Sequence, residues 1–169
     1  MDKFLKLLEA ANRALLWLSL IAGFLMMLHV TVDVAARAFF NRPLAGTNEI
    51  VSAWYMVATA FLPWAYIAAS DGHIRVELFT RLAPARFNEW LDILVKLLMA
   101  AYVAVFTWQT GLRAIEQVRA GEVWELAGGY LPVWPSRCVL PVAGALMVLV
   151  LLGRAAADIA RALRRDASQ

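Results

Sequence analysis

Cysteine is almost absent from this chain: Cys138 is the only one in 169 residues. An intrachain disulfide is excluded, and oxidative folding is not indicated. Histidine is nearly as scarce, with His29 and His73 alone. Charge is the third shortage: Asp, Glu, Lys and Arg make up 17% of residues, against about 25% in an ordinary soluble domain. No CxxC, HExxH, GxSxG or GxxxxGK[ST] occurs, so the common metal, hydrolase and nucleotide signatures are missing. There is no fixed-period repeat and no low-complexity tract. What fills the chain is apolar: 62% of residues are hydrophobic, with seven Trp and eight Phe. The net charge of +3 is concentrated toward the termini, which fits membrane topology and argues against nucleic-acid binding. These features describe an all-α integral membrane protein, a single domain over residues 1–169.

A bilayer-crossing helix needs about 20 mostly apolar residues. Four segments qualify, at about 14–36, 50–69, 90–120 and 133–155. The third continues in helical pattern to Ala120, with its membrane part at about 90–112. It exceeds the hydrocarbon thickness of about 30 Å and is expected to tilt or protrude. The first span, preceded by Lys3, Lys6 and Arg13 and followed by "VAARA", looks like a secretory signal. Its apolar run is longer than the 7–15 residues or so of a signal core, so a retained helix is expected. With the N-terminus inside, ten Lys and Arg fall in inner segments and four in outer loops. The positive-inside rule then puts both termini in the cytoplasm.

The connections have their own character. Phe4, Leu8, Ala11 and Leu15 form one stripe, which predicts a short interfacial helix over residues 2–13. After span two, "SDGHIRVELF" gathers Ile74, Val76, Leu78 and Phe79 on one side, which predicts a second interfacial helix ending before Pro84. His73 at its start is read as a polar contact and not a ligand. Pro63 lies inside span two and is expected to kink it. The stretch "GEVWELAGGYLPVWPSR" is rich in Gly, Pro and aromatics and reads as an irregular outer loop. Most Trp fall near span ends, as an aromatic belt requires.

Ionisable residues inside a membrane are functional candidates. His29, Asp33 and Arg37 share a face of span one at i, i+4, i+8. A proton relay would have to continue across the membrane, and span two offers no carboxylate beyond Glu49 at its mouth. The expectation is an Asp–Arg pair with a hydrogen-bonded His. Asp92 and Lys96 form another i, i+4 pair, with Lys96 able to snorkel. Arg137, at the start of span four, is set against Glu49 or Asp33. A haem anchor would need two facing histidines at one depth. His29 and His73 fall more than about 20 Å apart by helix rise.

From Arg37 to Pro84 the chain resembles the small membrane subunit, the DctQ-type small permease, of tripartite ATP-independent periplasmic (TRAP) transporters. The resemblance rests on "RAFFNRP", on Glu49 entering span two, on Trp54 five residues later, and on "HIRVELFTRLAP" with His73, Arg75 and Glu77. Gly46, Asn48, Pro63 and Glu77 stand where the family often has Trp, Glu, Gly and Asp. The resemblance implies a bacterial inner-membrane complex with a large DctM-type permease and a periplasmic DctP-type receptor. In it the large subunit carries organic acids and the coupling sodium ions, and the small subunit is a non-catalytic scaffold without a cofactor. Under that reading His29, Asp33, Arg37, Glu49, Trp54, His73, Arg75, Glu77, Asp92, Lys96 and Arg137 are structural or subunit-interface candidates. The acidic, aromatic outer segment supplies receptor-docking candidates: Glu122, Trp124, Glu125, Tyr130 and Trp134. An autonomous small oligomeric transporter or channel is the rival reading.

Overall fold

The computed structural model describes residues 2–70, 84–126 and 128–166. Helix α1 runs Asp2–Phe40. Span two is pieced together from α2 (Thr47–Ile50), a π-helical segment (Val51–Tyr55), α3 (Met56–Phe61) and α4 (Trp64–Ala69). Helix α5 covers Ala85–Ala120, strands β1 and β2 cover Val123–Leu126 and Gly129–Pro132, and α6 covers Trp134–Asp166. Four helical stretches are long and apolar enough to cross a membrane: Ala10–Phe40, Thr47–Ala69, Arg86–Ala120 and Trp134–Arg164.

The helices are longer than their membrane parts require. The 36 residues of α5 extend roughly 54 Å at about 1.5 Å per residue, well beyond a hydrocarbon core of about 30 Å. Helix α1 also differs from the expected pair of a surface helix followed by a span. It is one element of 39 residues, so residues 2–13 are its opening turns. Its first glycine is Gly23 and it contains no proline, so no local signal breaks it. The second expected interfacial helix, at 71–83, lies outside the described residues.

Each chain reversal at one end of the bundle has a local cause. Helix α1 stops at Asn41, whose φ of 52° is left-handed and whose N–H bonds to the Arg37 carbonyl at 3.2 Å. Asn is among the few residues that tolerate this conformation. Helix α5 stops at Gly121, φ 61°. The N–H groups of Gly121 and Glu122 turn back to the carbonyls of Val118 and Gln117, closing the helix end with a Schellman motif.

Beyond Gly121 comes an antiparallel hairpin, not the irregular loop expected from composition. Trp124 pairs with Leu131 and Glu125 with Tyr130. Its base is closed by the Glu122 carbonyl, which accepts the N–H groups of Val133 and Trp134 at 3.0 and 3.3 Å. Along β1 exposed and half-buried residues alternate, the period of two that a strand with one covered face shows.

Helix α6 is the centre of the bundle. It packs along α5 and against α3 and α4, while α1 leans mainly on the broken second span. A third of the apolar stretch of α6 is buried (33%), against 6% for α1. The core is built from small residues and a few larger ones: Ala65, Ala68, Ala100, Val103, Met147, Val150 and Leu151. Between membrane helices packing replaces hydrophobic expulsion, and small residues allow backbones to approach. Gly144 is the sharpest case, because a Cβ there would run into the Thr107 side chain.

The break in span two falls at Pro63, as its sequence position requires. Proline has no N–H for the carbonyl four residues earlier, which here is Thr59. The buried Ser19 hydroxyl of α1 donates to that carbonyl at 3.2 Å. Backbone groups freed inside a membrane must find partners within the protein, and Ser19 is such a partner.

Candidate functional site

The ionisable side chains form three clamps. The first ties the end of α1 to the start of span two. Asp33 accepts from Arg37 Nε at 2.8 Å and from the Leu44 backbone N–H at 2.7 Å. Its side chain is only 6% exposed, whereas that of Arg37 is 53% exposed. One carboxylate thus neutralises a neighbouring cation and fixes the loop that follows Pro43. The residues of "RAFFNRP" gain a mechanical meaning: Arg37 holds Asp33, Asn41 ends the helix, and the chain after Pro43 is captured by the same Asp33.

The second clamp closes the hairpin. Arg137 donates two hydrogen bonds to the Glu122 carboxylate, from Nε at 3.0 Å and from a terminal nitrogen at 2.8 Å. The expected partners, Glu49 or Asp33, are not used. The hairpin brings Glu122 next to Arg137 although 15 residues separate them. The Arg137 hydrogen bonds hold the Glu122 carboxyl below the usual carboxylate range, with a smaller contribution from the Trp124 side chain. Burial works in the opposite direction. Over the same end, Leu126 lies against Gly46, where a Cβ would come within 2.8 Å of Leu126 Cδ2. Gly46 has φ 81°, so this position favours glycine for two reasons. Of the docking candidates, Glu125 and Tyr130 are exposed, Trp134 less so, and Trp124 and Glu122 are half-buried.

The third clamp is at the opposite end. Lys96 bonds Asp158 of α6 at 2.5 Å, and Arg161 joins the same carboxylate. The Lys96 and Asp158 side chains are 16% and 14% exposed. Lys96 therefore does not pair with Asp92 one turn earlier, and it does not reach out of the bundle. The helix crossing supplies a carboxylate 62 residues away, and burial between α5 and α6 favours it. Nearby, Arg154 donates to the Ala69 carbonyl at the end of α4.

The remaining candidates divide clearly. His29 meets the Tyr55 ring edge-on, with centroids 5.9 Å apart, and not through the hydrogen bond expected of it. Trp54 is half-buried in the π-helical segment. Glu49, in the first turn of α2, is half-buried. His73, Arg75 and Glu77 lie outside the described residues. Sequence reasoning missed Ser19, Asp158, Arg154 and the Thr107–Gly144 approach. Only the Pro63 break, which demands a donor for Thr59, could have pointed to any of them.

The clamps use their charges internally: each carboxylate is held by a guanidinium, an ammonium or a backbone N–H. Among the described residues, no three His, Cys, Asp or Glu side chains come together as metal ligands would. Fold and charge placement define a multi-span membrane protein whose ionisable groups fasten helices and loops to one another. The chain belongs to the DctQ component family of tripartite ATP-independent periplasmic transporters, whose model matches residues 26–161. No curated protein and no solved structure matches it. It is thus a small membrane subunit of a TRAP transporter, in a family of transporter components and not of enzymes.

Proposed function

We propose that this chain is a non-catalytic scaffold that supports the large permease subunit in sodium-coupled uptake of organic acids delivered by a periplasmic receptor. The observation that carries this reading is the low burial of its apolar helices. The α1 stretch is 6% buried and the α5 stretch 17% buried within the chain. Trp17, Phe24 and Met27 of α1 and Val105 and Trp108 of α5 are all more than 60% exposed. Such faces offer lateral surface to lipid and to a partner membrane subunit. The clamps support the same role, since they stiffen the bundle and leave few charges to line a path.

In this reading both termini are cytoplasmic, the protein resides in the bacterial inner membrane, and the hairpin faces the periplasm. The opening turns of α1 continue the first span on the cytoplasmic side, where Leu8 packs against the bundle core. The sodium ions belong to the large subunit. The hairpin, with Glu125, Tyr130 and Trp134 available, helps dock the receptor. Glu122 serves that surface indirectly, because its carboxylate already holds Arg137. Charge reversal at Glu125 is therefore the cleaner docking test, and weaker receptor binding is expected. The reading as a whole is tested by solute uptake into proteoliposomes holding the large subunit and receptor, with and without this chain. Uptake that needs the chain supports it; equal uptake without the chain refutes it.

A further inference from the structure

Among the described residues, Glu49 is the one carboxylate within the four apolar stretches that has no partner in the chain. Asp33 is held by Arg37, Glu122 by Arg137, and Asp158 by Lys96 and Arg161. Glu89 and Asp92 are engaged as well. Glu49 has no ion pair and no side-chain hydrogen bond among the described residues. Arg137, the cation of span four on this end, is occupied by Glu122. Arg42, in the preceding loop, is exposed and makes no ion pair among the described residues. Arg75 and Arg81 follow the far end of the same span.

Two contacts fix the depth of Glu49. Leu44 is bonded to Asp33, and Tyr55 lies against His29. Glu49 is six residues before Tyr55, about 9 Å by helix rise, so it stands at or just beyond the level of Asp33 on α1. Asp33 is eight residues from the middle of the Ala10–Phe40 stretch, or about 12 Å by helix rise. Half the hydrocarbon thickness is about 15 Å. A bundle centred in the bilayer therefore carries Glu49 at the margin of the apolar layer, where a carboxylate facing a partner helix gains from a cation set against it. Beside it Asn48, Ser52 and Met56, at i, i+4 and i+8, are exposed. Span two is also the least apolar of the four. This stripe is more polar than a surface made for lipid tails.

We propose that Glu49 and the Asn48–Ser52–Met56 stripe form the contact with a membrane helix of the large subunit, and that this helix brings a Lys or Arg to Glu49. The inference rests on the scaffold reading and adds to it the face and the charge that make the joint. Charge complementarity selects the occupant. A lipid tail leaves the carboxylate unanswered, and a second copy at the same level would set two carboxylates against each other.

The test uses the full tagged chain, co-expressed with the large subunit and purified in mild detergent. Glu49→Gln keeps size and shape while removing the charge, and is expected to capture at least about tenfold less large subunit. Photo-crosslinking side chains at Ser52 and Met56, in chains that keep Glu49, are expected to join the large subunit. Undiminished capture by Glu49→Gln overturns the inference, as do crosslinks only to lipid or to a second copy. If the unaltered chain captures no large subunit, the scaffold reading fails and the inference falls with it. Capture by the unaltered chain with no effect of Glu49→Gln removes the inference alone.

Discussion

Ser19→Ala isolates the part of the fold that span two depends on. The Ser19 hydroxyl serves the Thr59 carbonyl, which Pro63 has deprived of its own helical donor. Hydrogen bonds between membrane helices average about 0.6 kcal/mol and reach about 1.7 kcal/mol. Leaving a buried acceptor unsatisfied costs about 1–3 kcal/mol. Ser19 is 6% exposed, so water does not readily replace it, and a loss of about 1–2 kcal/mol is expected. Reversible unfolding in mixed micelles, titrated with a denaturing detergent, measures this loss. The decisive comparison is the same substitution in a Pro63→Ala background. Alanine at 63 restores an N–H that can reach the Thr59 carbonyl within the helix. There Ser19→Ala is expected to cost close to nothing, giving a coupling of about 1 kcal/mol or more. An equal cost in both backgrounds would refute the claim that Ser19 compensates for the proline.

Three further outcomes follow from the clamps and the helix crossing. Lys96→Met is expected to destabilise the bundle by roughly 2–3 kcal/mol, because Asp158 loses its buried partner and keeps only Arg161. The double change Lys96→Met with Asp158→Leu is expected to cost less than Lys96→Met alone in the same unfolding assay. Gly144→Ala is expected to cost about 1–3 kcal/mol through overpacking against Thr107, and Thr107→Ala is expected to recover part of that loss. If Thr107→Ala only adds to the loss, the contact is not the cause. The hairpin carries a pH dependence of definite sign. Glu122 is depressed in the folded state, so its contribution is full above the ordinary carboxylate pKa of about 4.3. It is lost as pH falls through the depressed value. Hydrogen exchange of the hairpin amides is expected to rise at that point, and at higher pH in Arg137→Gln. Identical profiles in the two proteins would count against the clamp.

Local chemistry is what the sequence displays best. The four spans, the excess length of the third, the break at Pro63 and the Asp33–Arg37 pair all depend on neighbours within a turn or on apolar run length. The errors share one origin, which is tertiary choice. Asp92 and Lys96 have ideal spacing, yet Lys96 takes Asp158 because α5 and α6 bury the two groups together. Arg137 finds Glu122 because a hairpin folds the chain back. The hairpin was itself obscured by its composition, since two strands of four residues offer little periodicity beside Gly121, Gly128 and Gly129. Nothing local marks the π-helical segment at Val51–Tyr55, which holds no glycine or proline. The Asn41 turn shows the opposite case: an Asn before Arg-Pro is a readable helix stop once its left-handed φ is known.

The measurement closest to the central claim is sodium-driven uptake by proteoliposomes that contain the large subunit and the receptor, prepared with and without this chain. As a scaffold the chain should be required for full uptake and should carry no solute in liposomes of its own. Undiminished uptake in its absence, or solute flux through the chain alone, would contradict the account.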